Sequence, residues 1–306
     1  MALNIVEVSP RDGLQNDPAD APAEVKVELI LRCIAAGARR IEVASFVSPK
    51  AVPKMADAEQ VLEGLRAAGP LDASLIGLVV NERGVRRALA AGVDEVNAVV
   101  VVTDTFSKAN QSTTTEQTLA ALGDLVGASH SAGLPITVTL SAAFGCPFEG
   151  EVPLGRVVDV AAAVAAFGPD EIALADTIGA AVPADVRERV PPVREVIGGD
   201  VALRAHFHDT RNTGVANALA AYESGVSTLD ASLGGAGGCP FAPGATGNVA
   251  TEDLVYLFER SGIATHMSLD ALIDTSHWLK GELGHPLPAM LSRAGPFPGA
   301  RRAGTA

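Results

Sequence analysis

Strand-like and helix-like stretches alternate along this chain from one end to the other. That alternation constrains the fold more than any other feature. Eight short runs, at residues 3–8, 40–45, 74–80, 95–102, 135–141, 171–175, 200–206 and 227–232, have the length and apolar content of buried strands. Between them, apolar residues recur at helical spacing over 23–36, 56–68, 82–91, 114–132, 154–167, 183–197 and 214–224. In the first of these the period is carried by Val25, Leu29, Ile30, Cys33 and Ile34, and Gly37 stops it. Threonines at 113–115 are suited to capping the long fourth helix. Such alternation makes the strands parallel, joined by right-handed crossovers. Eight units in 306 residues fit a TIM (β/α)8 barrel. The alternative, an open doubly wound sheet, would want GxGxxG after the first strand, where Pro10-Arg11-Asp12-Gly13 stands instead. Two extra C-terminal helices are expected at 252–260 and 269–283. We expect one domain over residues 1–294 and a mobile tail over 295–306, which contains Gly, Pro and Arg.

Composition narrows the class. Hydrophobic residues make up 48% and charged residues 19%, which suits a packed core rather than a disordered chain. The formal net charge is −13 and no long basic run occurs, so nucleic acid is not an expected partner. Cys33, Cys146 and Cys239 are far apart and form no CxxC. That spacing favours a reducing, cytoplasmic setting and excludes a disulfide framework or a cysteine-only zinc site. The N-terminus has no basic segment followed by an apolar one, and no apolar stretch is long enough to span a bilayer, so no membrane partner is expected.

A barrel carries its chemistry at the C-terminal ends of its strands. In this chain those ends gather acids, bases, amides and a thiol. The first strand leads to Arg11, Asp12 and Gln15; the second carries Glu42 and ends in Ser45. Ser141 ends the fifth, and Asp176-Thr177 the sixth. The seventh ends in His206-Phe207-His208-Asp209, and the eighth feeds a glycine-rich run holding Cys239, then Asn248 and Glu252. Side chains two apart on a strand share a side, so His206 and His208 can converge on one point, with Asp209 beside them. Asp12 adds a carboxylate and Asn248 a carbonyl oxygen. Mixed nitrogen and oxygen ligands without thiolate favour an open site for a divalent metal, Mg2+ or Mn2+, over zinc. The bland alternative is that strand ends are polar because they meet solvent. It accounts for a lone Ser or Asp, but poorly for two His, an Arg-Asp pair and a glycine-flanked Cys together. Cys239 is either a small buried hydrophobe or a thiol that enters the site when its loop closes. Cys33 lies on a helix face in the core, and Cys146 is open to either reading.

These residues stand in motifs. Val6-Glu7-Val8-Ser9-Pro10-Arg11-Asp12-Gly13-Leu14-Gln15-Asn16 resembles the first-strand motif of the hydroxymethylglutaryl-CoA lyase family. Ile41-Glu42-Val43-Ala44-Ser45-Phe46, Phe144-Gly145-Cys146-Pro147, Asp176-Thr177-Ile178-Gly179 and His206-Phe207-His208-Asp209-Thr210 continue the resemblance. Gly237-Gly238-Cys239-Pro240 and Gly247-Asn248-Val249-Ala250-Thr251-Glu252-Asp253 complete it, so that it runs from residue 4 to about 285. The resemblance implies a divalent metal on Asp12, His206, His208 and Asn248. It implies that Arg11 faces the thioester and that Glu42, Asp176 and Glu252 sit close to the chemistry. It also makes His206 a proton relay and Cys239 the thiol of a mobile loop. The implied reaction is retro-Claisen cleavage of 3-hydroxy-3-methylglutaryl-CoA to acetyl-CoA and acetoacetate, as in leucine catabolism. Family members are often homodimers.

Departures occur at Phe148, where many members carry Tyr, at Thr103-Asp104-Thr105, at Asp17-Pro18 and at Arg211-Asn212-Thr213. None touches the expected ligands. Together they open a different branched 3-hydroxyacyl-CoA as substrate, and we expect Gln15, Ser45 and Arg211 to join Arg11 in binding it. A Claisen-type synthase and a non-catalytic metal-binding barrel are the remaining alternatives. The synthases commonly carry a further C-terminal domain, and a pure metal binder would need neither Arg11, Cys239 nor Glu252.

Overall fold

The computed structural model describes residues 3–238 and 247–297. Its eight strands close on themselves in sequence order, all parallel, with helices between them. The strands are β1 Asn4–Glu7, β2 Arg40–Ser45, β3 Ser74–Leu78, β4 Glu95–Val101, β5 Ile136–Ser141, β6 Glu171–Asp176, β7 Ala202–Phe207 and β8 Thr228–Ala231. Closure is made by β1 against β8, with Glu7 opposite Ala231. This is the expected TIM barrel. The outer ring comprises α1 Ala23–Ala35, α2 Ala58–Ala67, α3 Glu82–Ala91, α4 Asp104–Gln111, α5 Thr115–Ser131, α6 Leu154–Ala165, α7 Pro183–Ile197, α8 Gly214–Glu223 and α9 Thr251–Arg260. Then come α10 Leu269–Leu283, packed beside α1, and the short α11 Leu291–Ala294. Among the described residues no helix is long and apolar enough to cross a membrane.

The main apolar core lies between strands and helices, where each β/α unit buries its Val, Ile and Leu. Inside the barrel, among the described residues, Val6, Val8 and Ile76 form a small apolar cluster apart from that core. Much of the rest of that interior is polar, and one layer of it is charged. Arg40, Glu95 and Glu171 come from the even strands β2, β4 and β6, as side chains of one interior layer do. The Arg40 guanidinium donates to Glu95 at 2.7 Å and to Glu171 at 3.0 Å. From β7, Arg204, with its side chain 1% exposed, lies 3.5 Å from Glu171 and 3.2 Å from Asp230 on β8. Burying these charges is tolerable because each faces an opposite one.

Three local features differ from the expectation. The stretch 104–111 is a helix of its own, because Phe106 and Ser107 are buried and Asp104 accepts the Thr115 amide at the start of α5. Its polar content masked that apolar contact. Residues 9–13 form a turn of π-helix rather than plain loop. His206 lies inside β7, one residue before its end, and only His208 lies beyond. From residue 298 onward the expected mobile tail lies outside the described residues.

Candidate active site

Two segments at the top of the barrel carry most of the site, and both are held from below. After β1 the chain turns through Ser9–Gly13, where the Asp12 and Gly13 amides both donate to Val8 O, at 2.8 and 3.2 Å. The buried Glu7 carboxylate anchors the turn, accepting the amides of Ser9 and Leu233 at 2.9 Å each and the Thr251 hydroxyl at 2.7 Å. This presents Arg11 and Asp12 side by side. One Arg11 nitrogen donates to Asp12 at 2.8 Å and another to Glu42 of β2 at 2.9 Å. Glu42 accepts in turn from Asn97 of β4 at 3.4 Å, and Asn97 from the Thr139 hydroxyl of β5 at 2.9 Å. A hydrogen-bonded row from three strands, β2, β4 and β5, thus fixes where the guanidinium points. Burial would weaken the Arg11 cation, but the charges of Glu42 and Asp12 outweigh it and push its pKa up.

The second segment is 247–250. It returns beside the end of β7, where Asn248 bridges to His208, the Asp209 amide donates to Gly247 O and the Val249 amide to Phe207 O. Its other side meets Ser232 just past β8. Asn248 is thereby wedged between two strand ends, its amide nitrogen donating to Asp12 at 2.8 Å and to Ala236 O at 3.1 Å. Gly237 makes room: its φ is +122°, and a Cβ there would stand 2.6 Å from the Asn248 nitrogen.

Asp12, His206 and His208 converge so that one ligand atom from each lies within 4.8 Å of the others. The two imidazoles are 5.2 Å apart, centre to centre. His206 Nδ1 meets Asp230 at 3.0 Å, which turns Nε2 toward Asp12 at 4.0 Å. Asn248 Oδ1 and His208 Nδ1 are buried without a protein hydrogen-bond partner. Burial raises Asp12, but Arg11 and the two histidines overcome it and hold the carboxyl at about 2. Burial, with His206 beside it, pushes His208 down to about 3, so its ring stays neutral as a ligand must. For His206 the burial effect is outweighed by the bond to Asp230, and its pKa is raised. A carboxylate and two imidazoles facing one another, with an unpartnered buried amide oxygen on the neighbouring Asn248, form a site that could hold a cation. The donor set fits an open divalent site.

The remaining expected residues take other places. Gln15 is half-buried with its Oε1 unpartnered, and Ser45 is buried at the end of β2. Both carboxylate oxygens of Asp176 accept backbone amides, of Ala180 and Ala181, so it shapes the loop after β6. Glu252 is buried at the start of α9 and accepts the Gly234 amide at 3.0 Å; burial pushes its pKa up to about 7. Asp209 is not in the cluster, because its carboxylate accepts the Gly214 amide that opens α8. Arg211 is exposed on the rim and donates to the carbonyls of Ile178 and Gly179 at 3.1 and 2.8 Å. Cys239 lies outside the described residues. Sequence reasoning missed Asp230, Asn97 and Thr139. Strand parity could have found them: Asp230 stands on β8 at an inward position, and Asn97 and Thr139 share the polar face of their strands with Glu95 and with Thr137 and Ser141.

A closed (β/α)8 barrel with a mixed nitrogen–oxygen cation site beside a buried Arg–Glu pair belongs among the metal-centred barrel enzymes. Within that class the chain belongs to the HMGL-like family, whose model matches residues 2–279. It is 45% identical to the (R)-citramalyl-CoA lyase of Chloroflexus aurantiacus, over 96% of this chain and 95% of that one. It is 39% identical to the hydroxymethylglutaryl-CoA lyase YngG of Bacillus subtilis, over 94% and 95%. Among solved structures, an HMG-CoA lyase from Acinetobacter baumannii in complex with coenzyme A and 3-methylmalate superposes with a TM-score of 0.91 at 42% identity, covering 97% of this chain and 96% of that one. The family is metal-dependent, and the chain is a carbon–carbon lyase acting on an acyl-CoA.

Proposed function

We propose that this lyase cleaves 3-hydroxy-3-methylglutaryl-CoA to acetyl-CoA and acetoacetate, with Mg2+ or Mn2+ on Asp12, His206, His208 and Asn248. The observation that carries the reading is the convergence of acceptor groups on one point, directly beside the Arg11–Glu42 pair. When bound, the cation supplies the positive charge that makes the substrate's tertiary hydroxyl easier to deprotonate. His206 belongs to the same cation site, its Nε2 4.0 Å from Asp12, and its imidazole is the relay we assign to that proton. Loss of the proton lets the C2–C3 bond break, and its electron pair passes into the thioester as an enolate. Arg11, fixed by Glu42, is the cation for that enolate oxygen. Cys239 donates the proton that completes acetyl-CoA. Gln15, Ser45 and the free edge of Arg211 bind the acyl and CoA portions.

A second reading rests on the 45% identity to a citramalyl-CoA lyase. Citramalyl-CoA carries the same tertiary alcohol with an acid arm one methylene shorter, and the same bond cleavage would give acetyl-CoA and pyruvate. The experiment is to incubate the protein with each thioester and Mg2+ or Mn2+, and to measure acetoacetate and pyruvate. Acetoacetate as the faster product supports the first reading, and pyruvate the second. Turnover of neither, or full turnover by protein shown to be metal-free, overturns both. Cys33 and Cys146 are both free and buried, which supports a reducing, cytoplasmic setting.

A further inference from the structure

One buried carboxylate touches the cluster without facing its centre. Asp230 stands on β8, 6% exposed, and its two oxygens serve different neighbours. Oδ2 meets His206 Nδ1 at 3.0 Å, and Oδ1 lies 3.2 Å from Nε of the fully buried Arg204. Arg204 reaches Glu171, which Arg40 holds together with Glu95. The charged layer at the middle of the barrel therefore ends, at its upper side, on the imidazole of His206.

We infer that Asp230 is a positioning residue. It keeps His206 in the tautomer with its proton on Nδ1, and so holds the Nε2 lone pair toward Asp12 and His208. The inference rests on the cation site described above and adds the residue that presets one of its ligands. The physical reason is donor–acceptor matching. An ionised carboxylate can only accept, so the nitrogen facing Asp230 must be the protonated one. A neutral imidazole has one protonated nitrogen, which leaves the lone pair on the other. Burial of Asp230 in an ion pair with Arg204 keeps the carboxylate from rotating away, and the ring with it.

Two measurements test this. The first needs no variant: two-bond 1H–15N correlation spectra of the six histidines, with His206 assigned by its loss in His206→Gln, report the tautomer directly. The expected result is the Nδ1–H form in metal-free protein near pH 8. An Nε2–H form overturns the proposal. The second is Mn2+ titration by calorimetry of the wild type and of Asp230→Asn. The asparagine keeps the shape, but its amide can flip and donate to Nδ1, which would move the ring proton to Nε2. Mn2+ affinity should then fall by about ten- to a hundredfold, with the circular dichroism spectrum unchanged, and Asp230→Glu should recover part of the loss. Affinity within twofold of wild type in Asp230→Asn overturns the proposal. If the wild type itself fails to bind Mn2+, the cation-site reading fails instead, and the tautomer spectrum still decides the orientation of His206. Should Asp230→Asn not fold, that spectrum is the deciding result.

Discussion

Two polar clusters lie in one barrel, meeting on β7 where Arg204 and His206 stand two residues apart, and they are built in opposite ways. In the lower one, Arg40 and Arg204 stand between Glu95, Glu171 and Asp230, so charges of both signs alternate through the layer. In the upper one, Asp12, His206 and His208 bring ligand atoms together at one point, with Asn248 against Asp12 and its Oδ1 buried without a partner. The lower arrangement is complete in itself and resembles what a buried ion network needs in order to offset its desolvation. The upper arrangement is complete only with a cation. The same burial that makes the lower cluster structural makes the upper one functional. The difference lies in sign pattern, not in polarity or depth.

The sharpest way to break that comparison is to remove one member from each cluster. His206→Ala should lower turnover by roughly a thousandfold or more, since a ligand and a proton-moving group go together. It should leave the urea midpoint close to that of the wild type. Arg40→Met should do the reverse. It strands the Glu95 and Glu171 carboxylates, so stability should fall by about 3–5 kcal/mol, while folded enzyme at low temperature keeps most of its kcat. Steady-state kinetics and urea unfolding on the same preparations decide it. A His206 variant that is active but unstable, or an Arg40 variant that is stable but inactive, would show that the two clusters are not separable.

Much of this was legible beforehand, for a definable reason. Strand and helix periodicity report burial one element at a time, so the barrel and its extra helices could be read from apolar spacing. The grouping of Asp12, His206 and His208 could be read because the resemblance joined segments more than 190 residues apart. What could not be read was which wall each acid faces. Glu252 and Asp176 stand in motifs of the chemistry, yet the structure turns both toward backbone amides of loops, at Gly234 and at Ala180 and Ala181. Asp230 has no motif around it, and only the closed barrel brings it against His206. The contact between Arg204 and Glu171 likewise depends on barrel closure, which no local pattern contains.

Glu252 sharpens the comparison from a third direction, as a buried acid that faces neither a cation nor a guanidinium. Burial raises it from 4.5 to about 7, so the folded state binds this proton more tightly than the unfolded chain. Its contribution to stability is therefore full below pH 4.5 and is lost as pH rises through about 7. Glu252→Gln removes the charge and keeps an oxygen for the Gly234 amide. Relative to wild type, the variant should gain little at pH 4.5 and roughly 2–3 kcal/mol by pH 8, read from urea midpoints across that range. A difference that stays flat with pH would show that Glu252 is not carrying the proton.

Arg211 is the smallest expected effect and the one that bears on substrate choice. It sits at the rim, outside both clusters, with Nη1 donating to the carbonyls of Ile178 and Gly179. Those bonds join the loop after β6 to the loop after β7, which carries His208. They also hold the guanidinium plane still, which is what two-pronged recognition of a carboxylate or phosphate requires of its other edge. The test compares kcat/KM for hydroxymethylglutaryl-CoA and for citramalyl-CoA in the wild type and in Arg211→Tyr. A guanidinium that senses the length of the acid arm should change the ratio between the two thioesters by about tenfold, on the order of 1.4 kcal/mol. A loss shared equally by both would instead assign Arg211 to the CoA portion, which the two substrates have in common. If neither value moves, its work ends with the two carbonyls, and the choice between substrates has to be made deeper in the barrel, where Asn97 and Thr139 line up behind Glu42.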